Sequence, residues 1–139
     1  MDLFAQLSHE HDRLRPLVAA IQTAAEVRDR SALMASLVAA RTALTAELDA
    51  HIALEDEMAF PAIGEAIGAG VIMPFRVEHE EIRELRDRLL ACADAGTVPP
   101  ELAMQLCDLI LSHMQREDDM LFPSVCEPAD PRNADSCRK

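Results

Sequence analysis

The chain has 139 residues, of which 25 are acidic and 13 basic, for a formal charge of −12. A surface this acidic repels nucleic-acid phosphate and argues against DNA or RNA binding, whereas bound cations would offset part of its charge. Half of the residues are apolar, only four are glycine and 3% are aromatic, with no Trp and no Tyr, so one helical domain with a core of Leu, Ala, Ile, Val and Met is expected.

The first ten residues lack the basic region and apolar run of a signal peptide, and no apolar stretch approaches membrane-spanning length. A cytoplasmic protein that binds no membrane is therefore expected. Cys92, Cys107, Cys126 and Cys137 show no C-x-x-C spacing and read as reduced thiols, Cys92 and Cys107 filling small apolar gaps on helices.

Helix 1 is expected over most of residues 2 to 28, with Leu7, His11, Leu14, Val18, Ile21 and Ala25 on one inward stripe. Pro16 should kink or restart it one turn beyond His11. His9 falls off the stripe and reads as a surface residue, with a spare metal ligand as the alternative. Ser31 is a candidate N-cap for helix 2, which runs from about 32 to 60 with Leu33, Leu37, Ala40, Leu44, Leu48, His51, Glu55 and Met58 along its inner side. Pro61 should stop that helix, leaving at most a short turn before Gly70. Helix 3 should open at Pro74 and face Phe75, His79, Ile82, Leu85 and Leu89 inward. Helix 4 follows Pro99-Pro100, carries Leu102, Leu106, Leu109, His113, Glu117 and Met120 inward, and ends at Pro123. Short links between four helices predict an all-α, antiparallel up-down-up-down four-helix bundle over residues 1–123, with 124–139 as a flexible tail.

A motif and its copy dominate this plan. His51-x-x-x-Glu55-Asp-Glu-Met-Ala-Phe60-Pro61 returns as His113-x-x-x-Glu117-Asp-Asp-Met-Leu-Phe122-Pro123, displaced by 62 residues. Glu10-His11 returns as Glu78-His79, displaced by 68. Two copies at this spacing indicate two duplicated helical hairpins rather than a solenoid. On a helix, positions i and i+4 share a face, so each His-x-x-x-Glu can aim an imidazole and a carboxylate at one point. The antiparallel plan brings His11, His51, His79 and His113 to the same end of the bundle. With Glu55 and Glu117 they form a candidate set of four imidazoles and two carboxylates, a donor mix suited to iron, manganese or zinc. Two iron ions are the primary expectation, because iron's larger coordination number leaves room for a solvent-derived bridge and an exchangeable ligand; zinc or manganese is the alternative. Asp56 and Asp118 read mainly as solvated, with orientation of a histidine as their other possible role.

These residues give the chain a resemblance to the hemerythrin-like, HHE cation-binding family from residue 10 to 123. That resemblance implies a four-helix bundle around a non-haem di-iron centre bridged by carboxylates and an oxo or hydroxo group. It also implies binding or sensing of dioxygen, nitric oxide or peroxide, or else detoxification or repair of damaged iron centres; the redox partner stays open. Oxygen-carrying relatives place a fifth histidine four residues from the third-helix one, where this chain has Phe75 and Arg83. Their last carboxylate follows its histidine by five positions, which makes Asp118 a competitor of Glu117. The four-His, two-Glu set is instead similar to the iron-centre repair branch, although the separate Cys-containing amino-terminal domain of that branch does not occur in this sequence. A reactive or sensing site is thus expected in preference to a reversible oxygen store.

Overall fold

The structure is a computed structural model and describes residues 2–125. Cys126, Cys137 and nearly all of the expected tail lie outside the described residues. Four long helices make up the fold. Helix α1 is Leu3–Glu26, started by Asp2, whose carboxylate accepts from the Ala5 N–H. Helix α2 covers residues 30–67 and is capped by Asp29, which accepts from the Ala32 N–H. The cap is therefore Asp29 rather than Ser31, because Arg30 and Ser31 already lie within the helix. Helix α3 is Met73–Asp94 and opens with Pro74 in its first turn. Helix α4 covers residues 100–121 and is followed by a short turn, Pro123–Val125.

Partner residues along the seams run in opposite order. Between α1 and α4, Asp118 meets Ser8 and Arg15, Asp108 meets Gln22, and Glu101 meets Arg28. Between α2 and α3, Arg41 meets Asp94, Asp49 meets Arg86, and Asp56 meets Arg76. Such mostly exposed pairs contribute at most about 1 kcal/mol each, so apolar burial holds the bundle together. The larger cluster includes Val18, Leu37, Leu44, Leu89, Leu106 and Ile110. A smaller one, with Leu7, Phe60, Ile63, Phe75, Leu121 and Phe122, closes the other end. On α1, His11 falls between Leu7 of the second cluster and Val18 of the first, which puts the polar layer between two dry ones. No helix among the described residues is long and apolar enough to cross a membrane.

Two of the sequence expectations fail for one physical reason. In α2 the Phe60 N–H bonds to the Glu55 carbonyl, and in α4 the Phe122 N–H bonds to the Glu117 carbonyl at 2.8 Å. Each is an i→i−5 bond, a wide turn that inserts one extra residue into the helix. The inward stripe shifts accordingly. Met58 and Met120, expected inside, are 57% and 68% exposed, while Ala59, Phe60, Leu121 and Phe122 are buried. Nor does Pro61 end α2, since Phe60–Ile67 stays helical around it. Directly behind a wide turn, the ring has room and the missing N–H leaves little unsatisfied. A third wide turn, Ala43–Glu47, occurs in α2 alone.

Candidate metal centre

Four histidines, one per helix, meet at the polar layer: His11 on α1, His51 on α2, His79 on α3 and His113 on α4, each at most 9% exposed. Every one is held at Nδ1 by a carboxylate. His51 Nδ1 lies 2.7 Å from Glu10 within the first hairpin, and His113 Nδ1 lies 2.8 Å from Glu78 within the second. Across the hairpins, His11 Nδ1 lies 3.0 Å from Asp118 and His79 Nδ1 2.9 Å from Asp56. A carboxylate can only accept, so each Nδ1 is the donor and each Nε2 is turned toward the centre. Asp118 also accepts from Arg15 and Ser8, and Asp56 from Arg76 at 3.3 Å, with Arg83 3.5 Å away.

Glu55 and Glu117 are fully buried and lie between the four Nε2 atoms. Glu55 presents Oε1 to His79 at 2.8 Å and Oε2 to His51 at 3.3 Å. Glu117 presents Oε1 to His11 at 3.1 Å and Oε2 to His113 at 3.2 Å. Each carboxylate thus offers one oxygen to each half. Two groups of four result, His11/His51/Glu55/Glu117 and His79/His113/Glu55/Glu117, with the donor atoms of each group within 4.8 Å of one another. Glu55 Oε2, His113 Nε2 and both oxygens of Glu117 are buried without a hydrogen-bond partner. Their short contacts lack hydrogen-bond geometry, although leaving such atoms bare costs about 1–3 kcal/mol each or more. Cations between them would satisfy all four. Imidazole nitrogens and carboxylate oxygens are a donor set that iron accepts.

The wide turns at Glu55–Ala59 and Glu117–Leu121 place this chemistry. Each of these two begins at the buried glutamate, continues with the aspartate that holds the other hairpin's histidine, and returns Phe60 or Phe122 to the interior. Phe60 stacks on His79 with centroids 5.2 Å apart and planes 10° apart. Phe122 stacks on His11 at 5.9 Å and 15°. One turn therefore fixes a histidine of the opposite hairpin twice, by charge at its edge and by packing on its face.

In the metal-free protein the centre holds protons. Burial works to lower the His51 and His113 pKa values, but the adjacent Glu55 and Glu117 carboxylates overcome it and raise them to about 10 and about 11. Burial alone would raise Glu55, yet His51, His113 and His79 bring it well below the ordinary carboxylate value. Glu117 goes the other way, raised by burial and by the negative charge of Glu55. Burial also opposes ionisation of Asp118, but His11, Arg15 and Ser8 hold it at about 2.

Comparison with known sequences decides the family: the Hemerythrin HHE cation binding domain matches residues 2–125. The chain belongs to the hemerythrin HHE family. A relative from Salmonella schwarzengrund (strain CVM19633), named iron-sulfur cluster repair protein YtfE, is 30% identical over 95 residues, covering 59% of this chain and 43% of its own. The protein of that name from Escherichia coli O1:K1 / APEC is 29% identical over 108 residues, covering 68% of this chain and 49% of its own. The chain thus spans about half the length of the curated relatives it matches. No solved structure matches it.

Within this hemerythrin fold, the structure brings together His11, His51, Glu55, His79, His113 and Glu117. His9 is exposed and takes no part. Asp118 is buried and turned to His11 and Arg15, so Glu117 rather than Asp118 occupies the centre. Asp56 likewise holds a histidine instead of being merely solvated. Glu10 and Glu78 do the same, and neither was singled out from the sequence for that work. Their signal is the repeated Glu-His pair, which by itself does not tell a buried acceptor from a solvated charge. Of the two positions four residues from His79, Phe75 packs edge-on against His113 with centroids 5.4 Å apart and Arg83 lies 3.5 Å from Asp56.

Proposed function

We propose that the six central residues hold two iron ions, with Glu55 and Glu117 bridging them, and that the protein binds or senses dioxygen, nitric oxide or peroxide there. The observation that supports this reading is the division of each glutamate's oxygens between two histidine pairs. A single ion would leave two of the four imidazoles without a role. When bound, a pair of iron ions supplies one- and two-electron redox chemistry and a coordination position open to a small ligand. The protein's part is positional: Glu10, Asp56, Glu78 and Asp118 fix the imidazole tautomers, and the two apolar clusters keep bulk water away. A cavity of about 730 Å³ lined by Leu14, Leu17, Ile52, Ile82, Ile110 and Met114 reaches His11, His51, Glu55, His79 and His113. Its apolar side chains suit an uncharged diatomic molecule, and Glu10 and Glu47 also line it. Zinc or manganese in place of iron is the metal alternative.

The name borne by the relatives supports a second reading, that this chain donates iron or works as a detoxifying enzyme in the repair of iron centres. Titration of the iron-loaded protein with nitric oxide or hydrogen peroxide, with and without excess reductant, separates the two. Sensing predicts a spectral change that saturates at stoichiometric ligand with no further consumption. Consumption of many equivalents per chain, or transfer of iron to a cluster-depleted ferredoxin, contradicts sensing and supports the second reading.

A further inference from the structure

The four carboxylates that hold the Nδ1 atoms are not equivalent. Glu78 accepts from Arg116 Nη2 through both oxygens, at 2.7 and 2.8 Å. The motif offset that relates Glu117 to Glu55 relates Arg116 to Leu54, so Glu10 has no guanidinium in the matching place. Gln6 donates to it instead, at 3.1 Å. The side chain of Glu10 is 30% exposed against 19% for Glu78. Glu10 is also the one carboxylate of the four that lines the cavity, whose wall comes mostly from α1 and α2 and also includes His79 and His113.

The backbone reinforces the difference. The cavity wall includes Ala43, Glu47 and Leu48, at the wide turn that α2 has and α4 lacks, since Pro100–Arg116 is uninterrupted. There the Leu48 N–H reaches the Ala43 carbonyl, and Arg86, itself 6% exposed, donates to the Leu44 carbonyl at 3.2 Å. Arg86 thereby holds the wide turn in place beside the cavity.

We infer that the metal position held by His11 and His51 is the exchangeable one, loaded and emptied through this cavity, while the position held by His79 and His113 retains its ion. The inference rests on the two-metal reading above. An ion leaves when its ligands swing aside and water replaces them. His113 is tied to a carboxylate whose two oxygens both accept from the charged Arg116 guanidinium through Nη2, so a lost bond re-forms before water enters. His51 is tied to a carboxylate that faces the cavity, with only a neutral amide and the nearby Arg13 to steady it.

The test loads the full chain anaerobically with ferrous ion and mixes it with excess chromophoric chelator in a stopped-flow instrument. Release in two phases of equal amplitude, with rates at least about 10-fold apart, is expected. Arg116→Leu should speed the slow phase toward the fast one and leave the fast one unchanged, and Leu54→Arg should slow the fast phase. Circular dichroism of each metal-free variant checks folding, and the wild-type phases decide the matter should a variant fail to fold. One phase carrying both ions, or equal acceleration of both phases in Arg116→Leu, overturns the inference. Saturation below two ions per chain overturns the two-metal reading instead.

Discussion

Asp118 shows what a single side chain contributes at this centre. It is 6% exposed, yet ionised, because it serves His11, Arg15 and Ser8 at once. Asp118→Asn keeps the shape but removes the charge that orients His11 and raises its basicity. Metal affinity should fall about 10- to 100-fold with helicity unchanged, which competition against a chelator and circular dichroism would measure. A variant that binds metal like the wild type would show that Asp118 serves packing alone. The six central residues were legible because duplication marks them, and their i, i+4 spacing has direct geometric meaning. The four orienting carboxylates were harder to see. In a chain with 25 acidic residues, nothing in the letters of Asp56 or Asp118 distinguishes a buried acceptor from a solvated charge. That distinction depends on which helix lies opposite, and sequence periodicity does not specify it.

At the scale of the element, the wide turns separate the expected helices from the observed ones. Regular helical periodicity carried beyond Glu55 points Met58 inward; the extra residue turns Met58 to solvent and brings in Ala59 and Phe60. The number and order of the helices follow from apolar stripes and from prolines at helix starts, and these were readable. A wide turn has no side-chain signature of its own, and Phe-Pro looked like a stop signal. The chain instead uses the proline where a backbone bond is already displaced. Thermal or urea unfolding gives a direct comparison. Met58→Lys and Met120→Lys should change stability by less than about 0.5 kcal/mol, as exposed substitutions do. Ala59→Lys, which buries a charge in the smaller apolar cluster, should cost about 3 kcal/mol or more. Equal sensitivity at positions 58 and 59 would mean that the helix keeps regular spacing through the motif.

Over the whole molecule, two hairpins related by duplication enclose one centre and make the cross-hairpin contacts that neither could make alone. Metal, protons and stability are consequently linked. Without metal, the raised pKa values of His51 and His113 leave both imidazoles charged at pH 7. Since both values lie above the unfolded one near 6.5, this pairing stabilises the metal-free fold fully below about pH 6.5, and the contribution is lost as pH rises through 10 to 11. Metal must displace those protons, so loading at pH 7 should release about two per chain, and binding should weaken as pH falls. Calorimetry in buffers of different ionisation enthalpy reads this number; release near zero would mean that the histidines are already neutral. The most direct test of a glutamate-bridged two-metal centre is the iron content of the purified protein, measured with its absorption spectrum. Because the chain has neither Trp nor Tyr, its near-ultraviolet and visible bands come almost entirely from the metal centre. Two iron ions per chain with ferric charge-transfer bands are predicted, and both should be lost in Glu55→Ala. A colourless, iron-free protein that also takes up no ferrous ion under anaerobic conditions would contradict the account.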